Sequence, residues 1–299
     1  MTTPGRRAFL AALGGTVASA VPLSGRAAQG SGGAQRAAAP GLPERRVAAR
    51  RDQPALARRP AQAGRPGGVP PVDDLVAANR ILAMEGILDG FGHVSVRDPQ
   101  NAQQFLLSRS IAPALVTRPD ILTYDLDGRV VSGKDPGSYL ERFIHGEIYR
   151  VRDDVRAVVH CHAASLIPFA ASDVPMRAMY HMAVFVADGV PVFDIRAAAG
   201  ATDLLVRTPE LGRALARALG SKHAVLMRGH GAVVTASSIP NVVGRSIYLE
   251  VNARAQMQAI ALGGKITYVQ PDEAKLRMSD PNEYARAWDL WKRKLGTVP

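Results

Sequence analysis

Residues 154–162, Asp-Val-Arg-Ala-Val-Val-His-Cys-His, constrain this chain more than any other stretch. Ala157–Cys161 is small and β-branched and reads as a strand. Side chains two apart on a strand share a face, so His160 and His162 point one way and Cys161 the other. Two neutral imidazoles at this spacing can share one metal ion, although His-x-His alone describes a polar strand end equally well. A third histidine, His230, stands in Arg228-Gly229-His230-Gly231, directly after a strand expected at Ala224–Met227. Its flanking glycines let the backbone turn sharply and approach closely. Three histidines with an open coordination position are a catalytic zinc arrangement. His223 is the rival third ligand. It precedes the strand, at the end opposite His230, so geometry favours His230. The single cysteine, Cys161, excludes an intrachain disulfide framework and a Cys-rich zinc site.

A reaction at such a site needs a group that moves protons. Glu141 lies early in a helix expected over Tyr139–Val151, entered through Asp135-Pro136-Gly137. Glu147, further along the same helix, is the other candidate, and the residues alone do not choose between them.

The surrounding pattern is one of short strands interleaved with helices. Asp73 can cap a helix running through Leu75, Ile81 and Ile87, stopped by Gly90 and Gly92. Strands are expected at His93–Val96, Gln104–Leu107 and Ile121–Leu126, the last turning at Asp127-Gly128 into Arg129–Val131 as a hairpin. A short helix follows at Ala164–Ala171 and a strand at Val190–Phe193. Pro209 opens a helix that ends at Leu219-Gly220. Ala232–Thr235 is a strand, Ser238 caps a long helix to Leu262, and a last helix lies near Asn282–Lys294. This alternation predicts one α/β domain with a sheet and flanking helices.

Charge separates the two ends of the chain. Of its 299 residues, the first 70 hold eleven arginines against Glu44 and Asp52, a net of +9. The other 229 residues hold 26 basic and 24 acidic side chains, so the folded region is close to neutral and no nucleic-acid partner is expected. Residues 1–21 have a charged start, a weakly apolar run and a small-residue end at Ala18-Ser19-Ala20, the pattern of an export signal. Arg6-Arg7 followed by Phe9-Leu10 resembles a twin-arginine signal and predicts a periplasmic or extracellular protein. That run is too short and too rich in Gly and Ala for a membrane span. Residues 22–71, rich in Gly, Pro, Ala and Arg, read as a disordered linker that cannot bury enough apolar surface to offset its chain entropy.

Residues from about 72 to 265 resemble the class II aldolase/adducin family. The resemblance rests on Gly-His-Val-Ser-Val-Arg at 92–97, Ser-Arg-Ser at 108–110, Glu141 through His145 to Tyr149, Asp154 through His162, and Arg-Gly-His-Gly to 231. It implies a three-layer α/β/α domain around a mixed, largely antiparallel sheet, followed by a C-terminal helical extension over 266–299. It implies Zn2+ held by His160, His162 and His230, with Mn2+, Co2+ or Fe2+ able to occupy the same ligands. It further implies Glu141 as acid/base, carbon–carbon lyase chemistry on a small molecule, and a homotetramer with sites between subunits. Tyr180-His181 falls where the aldolases carry a catalytic tyrosine, which makes His181 a candidate catalytic group.

Departures from the sugar-phosphate aldolases shape the expected substrate. Those enzymes carry Gly-Asn where this chain has Gly92-His93, and two small hydroxyl residues where it has Tyr139-Leu140. Arg109-Ser110 replaces the Thr-Gly or Ser-Gly of their phosphate loop. A phosphate wants several small donors and backbone amides, whereas an arginine fork suits a carboxylate. The expected substrate-binding set is therefore His93, Ser95, Ser108, Arg109, Ser110 and Tyr180. Gly-His-Val-Ser, Ser-Arg-Ser and Leu140-Glu141 are similar to a branch that decarboxylates hydroxylated aromatic acids. Aldol cleavage of a non-phosphorylated sugar or hydroxy-carbonyl compound is the alternative. A non-catalytic, adducin-like head would be expected to lose the ligand set, which this chain retains.

Overall fold

A computed structural model describes Val69 and residues 71–278 and 283–296. The expected export signal over 1–21, and the linker over 22–71 except for Val69 and Pro71, lie outside the described residues.

Helix α1 (Val72–Met84) buries Leu75, Ala78, Ile81 and Leu82 on one stripe. Asp73 does not cap it. Pro71 occupies that position, and Asp73 and Asp74 lie in the first turn, where carboxylates face the positive end of the helix. Strands β1 (His93–Arg97), β2 (Gln104–Ser108) and β3 (Ile121–Asp125) form an antiparallel meander. The hairpin arm expected at Arg129–Val131 is not a strand; it meets β3 at the isolated bridge Tyr124–Val130. The Ser132 hydroxyl, in place of a backbone carbonyl, takes the Thr123 N–H at 3.0 Å, which ends regular pairing there.

The helix expected over Tyr139–Val151 is interrupted. Leu140–Arg142 forms a 3-10 turn in which Glu141 has φ −93° and ψ 16°, and α2 (Phe143–Val151) begins only after it. Strand β4 (Ala157–Cys161), α3 (Ile167–Ala171), β5 (Val192–Phe193), α4 (Arg196–Ala199) and α5 (Pro209–Leu219) follow. Thr208 caps α5 by accepting from the Leu211 N–H. Strands β6 (Ala224–Met227) and β7 (Gly231–Ala236) flank the turn that carries His230. Ser238 caps α6 (Ile239–Leu262) by accepting from the Asn241 N–H. Helices α7 (Pro271–Arg277) and α8 (Ala285–Leu295) form the C-terminal extension.

Among the described residues, the seven strands lie in the order β3-β2-β1-β4-β7-β6-β5, and only β5 and β6 pair in parallel. The sheet separates two apolar cores, giving three layers. One core collects Ala157, Val159, Cys161, Ala232 and Val234 against α1 and α6; Trp288 and Trp291 of α8 close it. The other collects Phe105, Leu107, Val158, Val225 and Val233 against Ile144 and Ile148 of α2 and Leu215 and Leu219 of α5. Burying each large aliphatic or aromatic side chain stabilises the fold by about 1.5–3 kcal/mol. Alternation along the strands then fixes the chemistry: with Val94, Val159 and Cys161 in the first core, His93, Ser95 and His160 must face the α2 side. Among the described residues, no helix is long and apolar enough to cross a membrane.

Close backbone approach ties the His230 turn to β4. Gly231 pairs with Met227, and Ala232 pairs with Cys161 in the next register position. A Cβ at Gly231 would overlap the Cys161 carbonyl, while Gly229 at φ +65° occupies a conformation that L side chains rarely adopt. Gly231→Ala is expected to lower stability by about 1–3 kcal/mol through overpacking, read as a lower urea midpoint with an unchanged m-value.

Candidate metal centre

Four side chains from three separate segments converge between the sheet and α2. His160 comes from the end of β4 and His162 from just beyond it. His230 comes from the turn between β6 and β7, and Glu141 from the 3-10 turn before α2. One ligand atom of each lies within 4.8 Å of all the others. His160 Nε2 and His162 Nε2 are 3.2 Å apart, as are His162 Nε2 and His230 Nε2. Glu141 Oε2 lies 3.3 Å from His160 Nε2 and 3.4 Å from His230 Nε2. A tetrahedron with bonds of about 2.0–2.1 Å has edges of about 3.3–3.4 Å, so these separations suit one divalent ion.

The outer hydrogen bonds supply an independent test. The Nδ1 of His160 donates to the Ala232 carbonyl at 3.2 Å, and the Nδ1 of His230 to the Leu204 carbonyl at 2.9 Å. His162 Nδ1 lies 3.5 Å from the Asp89 carboxylate. A carbonyl only accepts, so the neutral rings carry hydrogen on Nδ1 and aim bare Nε2 lone pairs inward. Lone pairs about 3 Å apart repel unless a cation lies between them. The donor set and its outer partners therefore fit a divalent ion.

Burial would raise the Glu141 carboxyl, but the imidazoles of His160 and His230 outweigh it and hold the group well below the usual carboxylate range. Glu141 Oε1 accepts the Val206 N–H at 2.8 Å, which fixes the carboxylate plane. Burial and then the His160 and His230 rings push His162 down to about 4. His230 is raised because its bond to Glu141 outweighs burial.

The other sequence candidates fall in several places. His93 pairs across the strands with His160, and their ring centroids are 5.2 Å apart. Ser95 lies behind His93, fully buried, and bonds His145 and Tyr149. Ser108 donates to the Tyr139 hydroxyl at 3.3 Å, and that hydroxyl in turn donates to the Ile111 carbonyl. Arg109 gives its Nε to Asp120 at 2.6 Å, and the Ser110 N–H donates to the Gly137 carbonyl. Tyr180 packs on Tyr248 of α6, and His181 begins a 3-10 turn on that side of the sheet, so neither belongs to the cluster. Glu147 is also apart from it, buried between Arg150 and Arg213.

Sequence reasoning missed the backbone groups of Leu204 and Val206, Asp89 beside His162, and a role for His145. The signal for His145 was present: His145 and Tyr149 are spaced by four and share one helical face. Phe91, 70% exposed, stands with its ring 6.4 Å from that of His162 and forms an apolar rim.

His223, the rival third ligand, is at the far end of the sheet, where its Nδ1 accepts from Arg245 at 3.1 Å. Burial and the Arg245 charge push it down to about 4. The unfolded chain takes up this proton near pH 6.5 and the folded chain near pH 4, so the contribution is present above pH 6.5 and lost as pH falls toward 4. His223→Asn keeps an acceptor for Arg245 and removes the titration; urea midpoints measured across that window should fall less steeply than in the parent.

A model for the class II aldolase and adducin N-terminal domain matches residues 73–257. The chain is 33% identical over 251 residues to Decarboxylase tropJ of Talaromyces stipitatus, covering 76% of this chain and 94% of that one. It is 29% identical over 242 residues to 3,4-dihydroxyphthalate decarboxylase of Arthrobacter keyseri, covering 75% and 92%. In fold it is similar to L-fuculose 1-phosphate aldolase from Glaciozyma antarctica, with a TM-score of 0.62 at 23% identity, covering 78% of this chain and 96% of that structure.

Proposed function

The chain belongs to the class II aldolase/adducin family and is a lyase, and we propose that it is a divalent-metal-dependent decarboxylase of a hydroxylated aromatic acid. The observation that carries this reading is the inward convergence of three Nε2 lone pairs and the Glu141 carboxylate. The similarity to two decarboxylases supports it. So does the state of the Ser108–Ile111 loop, where aldolases resembling this chain would bind phosphate. Here the Tyr139 phenol fills the loop, and Asp120 already engages Arg109. A dianion would have to displace both.

His160, His162 and His230 would hold the ion, with Glu141 beside it. When bound, a divalent ion supplies Lewis acidity toward two neighbouring oxygens of the substrate. Glu141 takes the proton of the substrate hydroxyl. The ring-to-carboxyl bond then breaks, carbon dioxide leaves, and the electron pair stays on the ring. Glu141 returns its proton to the ring carbon, and solvent restores the hydroxyl proton. The Val206 N–H keeps the carboxylate aimed throughout. Exposed Phe91 offers an apolar face to an aromatic ring. Because Tyr180 and His181 lie across the sheet from the cluster, a role for them in catalysis requires a second copy of the chain, consistent with a homotetramer whose sites lie between subunits. Export through Arg6-Arg7 completes the proposal and rests on the sequence.

The test begins with metal analysis of the purified protein and carbon dioxide release from a panel of hydroxylated benzoic acids. About one divalent ion per chain with release is expected. Metal without release, accompanied by aldol cleavage, would replace the decarboxylase reading with the aldolase one. No metal, even after adding zinc, would sink both. His160→Ala, His162→Ala and His230→Ala should each lose the ion. Glu141→Gln should retain it and lose about 10²- to 10⁴-fold in kcat.

A further inference from the structure

Behind the ligand cluster runs a column of buried polar groups. The Tyr149 hydroxyl lies 2.8 Å from Ser95 Oγ, which lies 2.6 Å from His145 Nδ1. His145 Nε2 lies 2.6 Å from His93 Nδ1. All four side chains are at most 2% exposed, and β1 and α2 hold them from two sides.

Only one arrangement of hydrogens satisfies the column. A buried phenol must donate its single hydrogen, and among the described residues Ser95 Oγ is the acceptor given to Tyr149. The serine hydrogen then goes to its second partner, His145 Nδ1. That nitrogen accepts, so the His145 hydrogen sits on Nε2 and is donated to His93 Nδ1. His93 is left with its hydrogen on Nε2. The reverse order would leave the Tyr149 hydroxyl without an acceptor. Two hydrogens facing each other across the 2.6 Å contact between the imidazoles would clash.

We propose that His145 is a positioning residue that locks His93 in the Nε2–H form, making His93 a fixed neutral donor toward an oxygen of the substrate. The His93 ring packs against Tyr139 at 4.5 Å and against His160 at 5.2 Å, which places it at the wall of the cluster. A donor there selects a substrate carrying an oxygen lone pair, a carboxylate or a phenolate, beside the atoms gathered at the cluster. The ligand histidines carry hydrogen on Nδ1 and aim Nε2 inward as acceptors. His93 is set in the opposite tautomer by a different outer partner, so two neighbouring imidazoles on paired strands serve opposite purposes. The substrate class rests on the decarboxylase reading; the tautomer does not.

The experiment uses the zinc-loaded full chain labelled with nitrogen-15 histidine. The seven histidines of the sequence can be assigned by single replacement. His93 and His145 should both show a protonated Nε2 and an unprotonated, hydrogen-bonded Nδ1. A His93 with its proton on Nδ1 would overturn the proposal. Ser95→Ala removes the donor that sets the order. His93 and His145 should then shift to mixed tautomers while zinc per chain stays the same; unchanged tautomers would also overturn it. On a turned-over hydroxybenzoic acid, Ser95→Ala should lower kcat/KM roughly tenfold, and by much less on a His93→Ala background. Full additivity of the two losses would mean that Ser95 acts only through stability. The nitrogen spectra need no turnover, so a failed decarboxylase reading leaves that arm intact.

Discussion

Three imidazole lone pairs and a carboxylate held within 4.8 Å of one another oppose the fold that contains them. Such a cluster persists only if the backbone around it is over-determined. The chain achieves this by drawing each ligand from an element fixed elsewhere. His160 sits on β4, bonded on both sides by β1 and β7. His230 sits on a turn whose exit is pressed against the Cys161 carbonyl by a glycine. Glu141 sits where the backbone leaves helical geometry and is held by an amide 65 residues further along the chain. None of these groups can retreat without disturbing a strand, a core or both.

The sheet then divides labour by parity. One face is apolar and closed by α1, α6 and the C-terminal helices. There Gly244 meets the ring of Tyr284, the Tyr284 hydroxyl donates to the Met182 carbonyl at 2.8 Å, and Trp288 and Trp291 are buried. The other face carries an apolar core toward β6 and α5 and a polar column toward β1 and the start of α2. A one-residue slip of β4 would turn His160 into the apolar core and Cys161 toward the site, so the pattern of small and branched residues along β4 specifies the chemistry as well as the packing.

That pattern is why so much was legible in the sequence. Strand parity located His160 on β4 and His162 just past its end, and two glycines marked the approach of His230. What was illegible depended on long-range partners. The residues of Tyr139–Val151 read as one helix because their spacing is helical; the break at Glu141 comes from the amide of Val206 and from the packing of Tyr139 on the Ser108–Ile111 loop. Glu141 and Glu147 looked equivalent on the helix; the fold sets Glu141 within 3.4 Å of two of the histidines and Glu147 between two arginines. Asp73 looked like a cap because its spacing suited one, yet Arg118, distant in sequence, takes it as an ion pair. Family resemblance added what periodicity could not, the joint identity of the ligand set.

The column behind His93 bears on which interactions a decarboxylating site can use. The carboxylate charge vanishes in this reaction, leaving as neutral carbon dioxide while negative charge moves onto the ring and its oxygens. A guanidinium on that carboxylate would stabilise the starting state more than the transition state and slow the step. Arg109 is the arginine the sequence suggested for this task, and Asp120 neutralises it at 2.6 Å. A neutral imidazole N–H binds the carboxylate less tightly and still donates to an oxygen that gains charge. It also adds no positive charge beside a divalent ion, where a second cation would be repelled. Holding such a donor in a single tautomer requires a hydrogen-bond donor to its other nitrogen, and the buried His145–Ser95–Tyr149 column supplies one without introducing a charge.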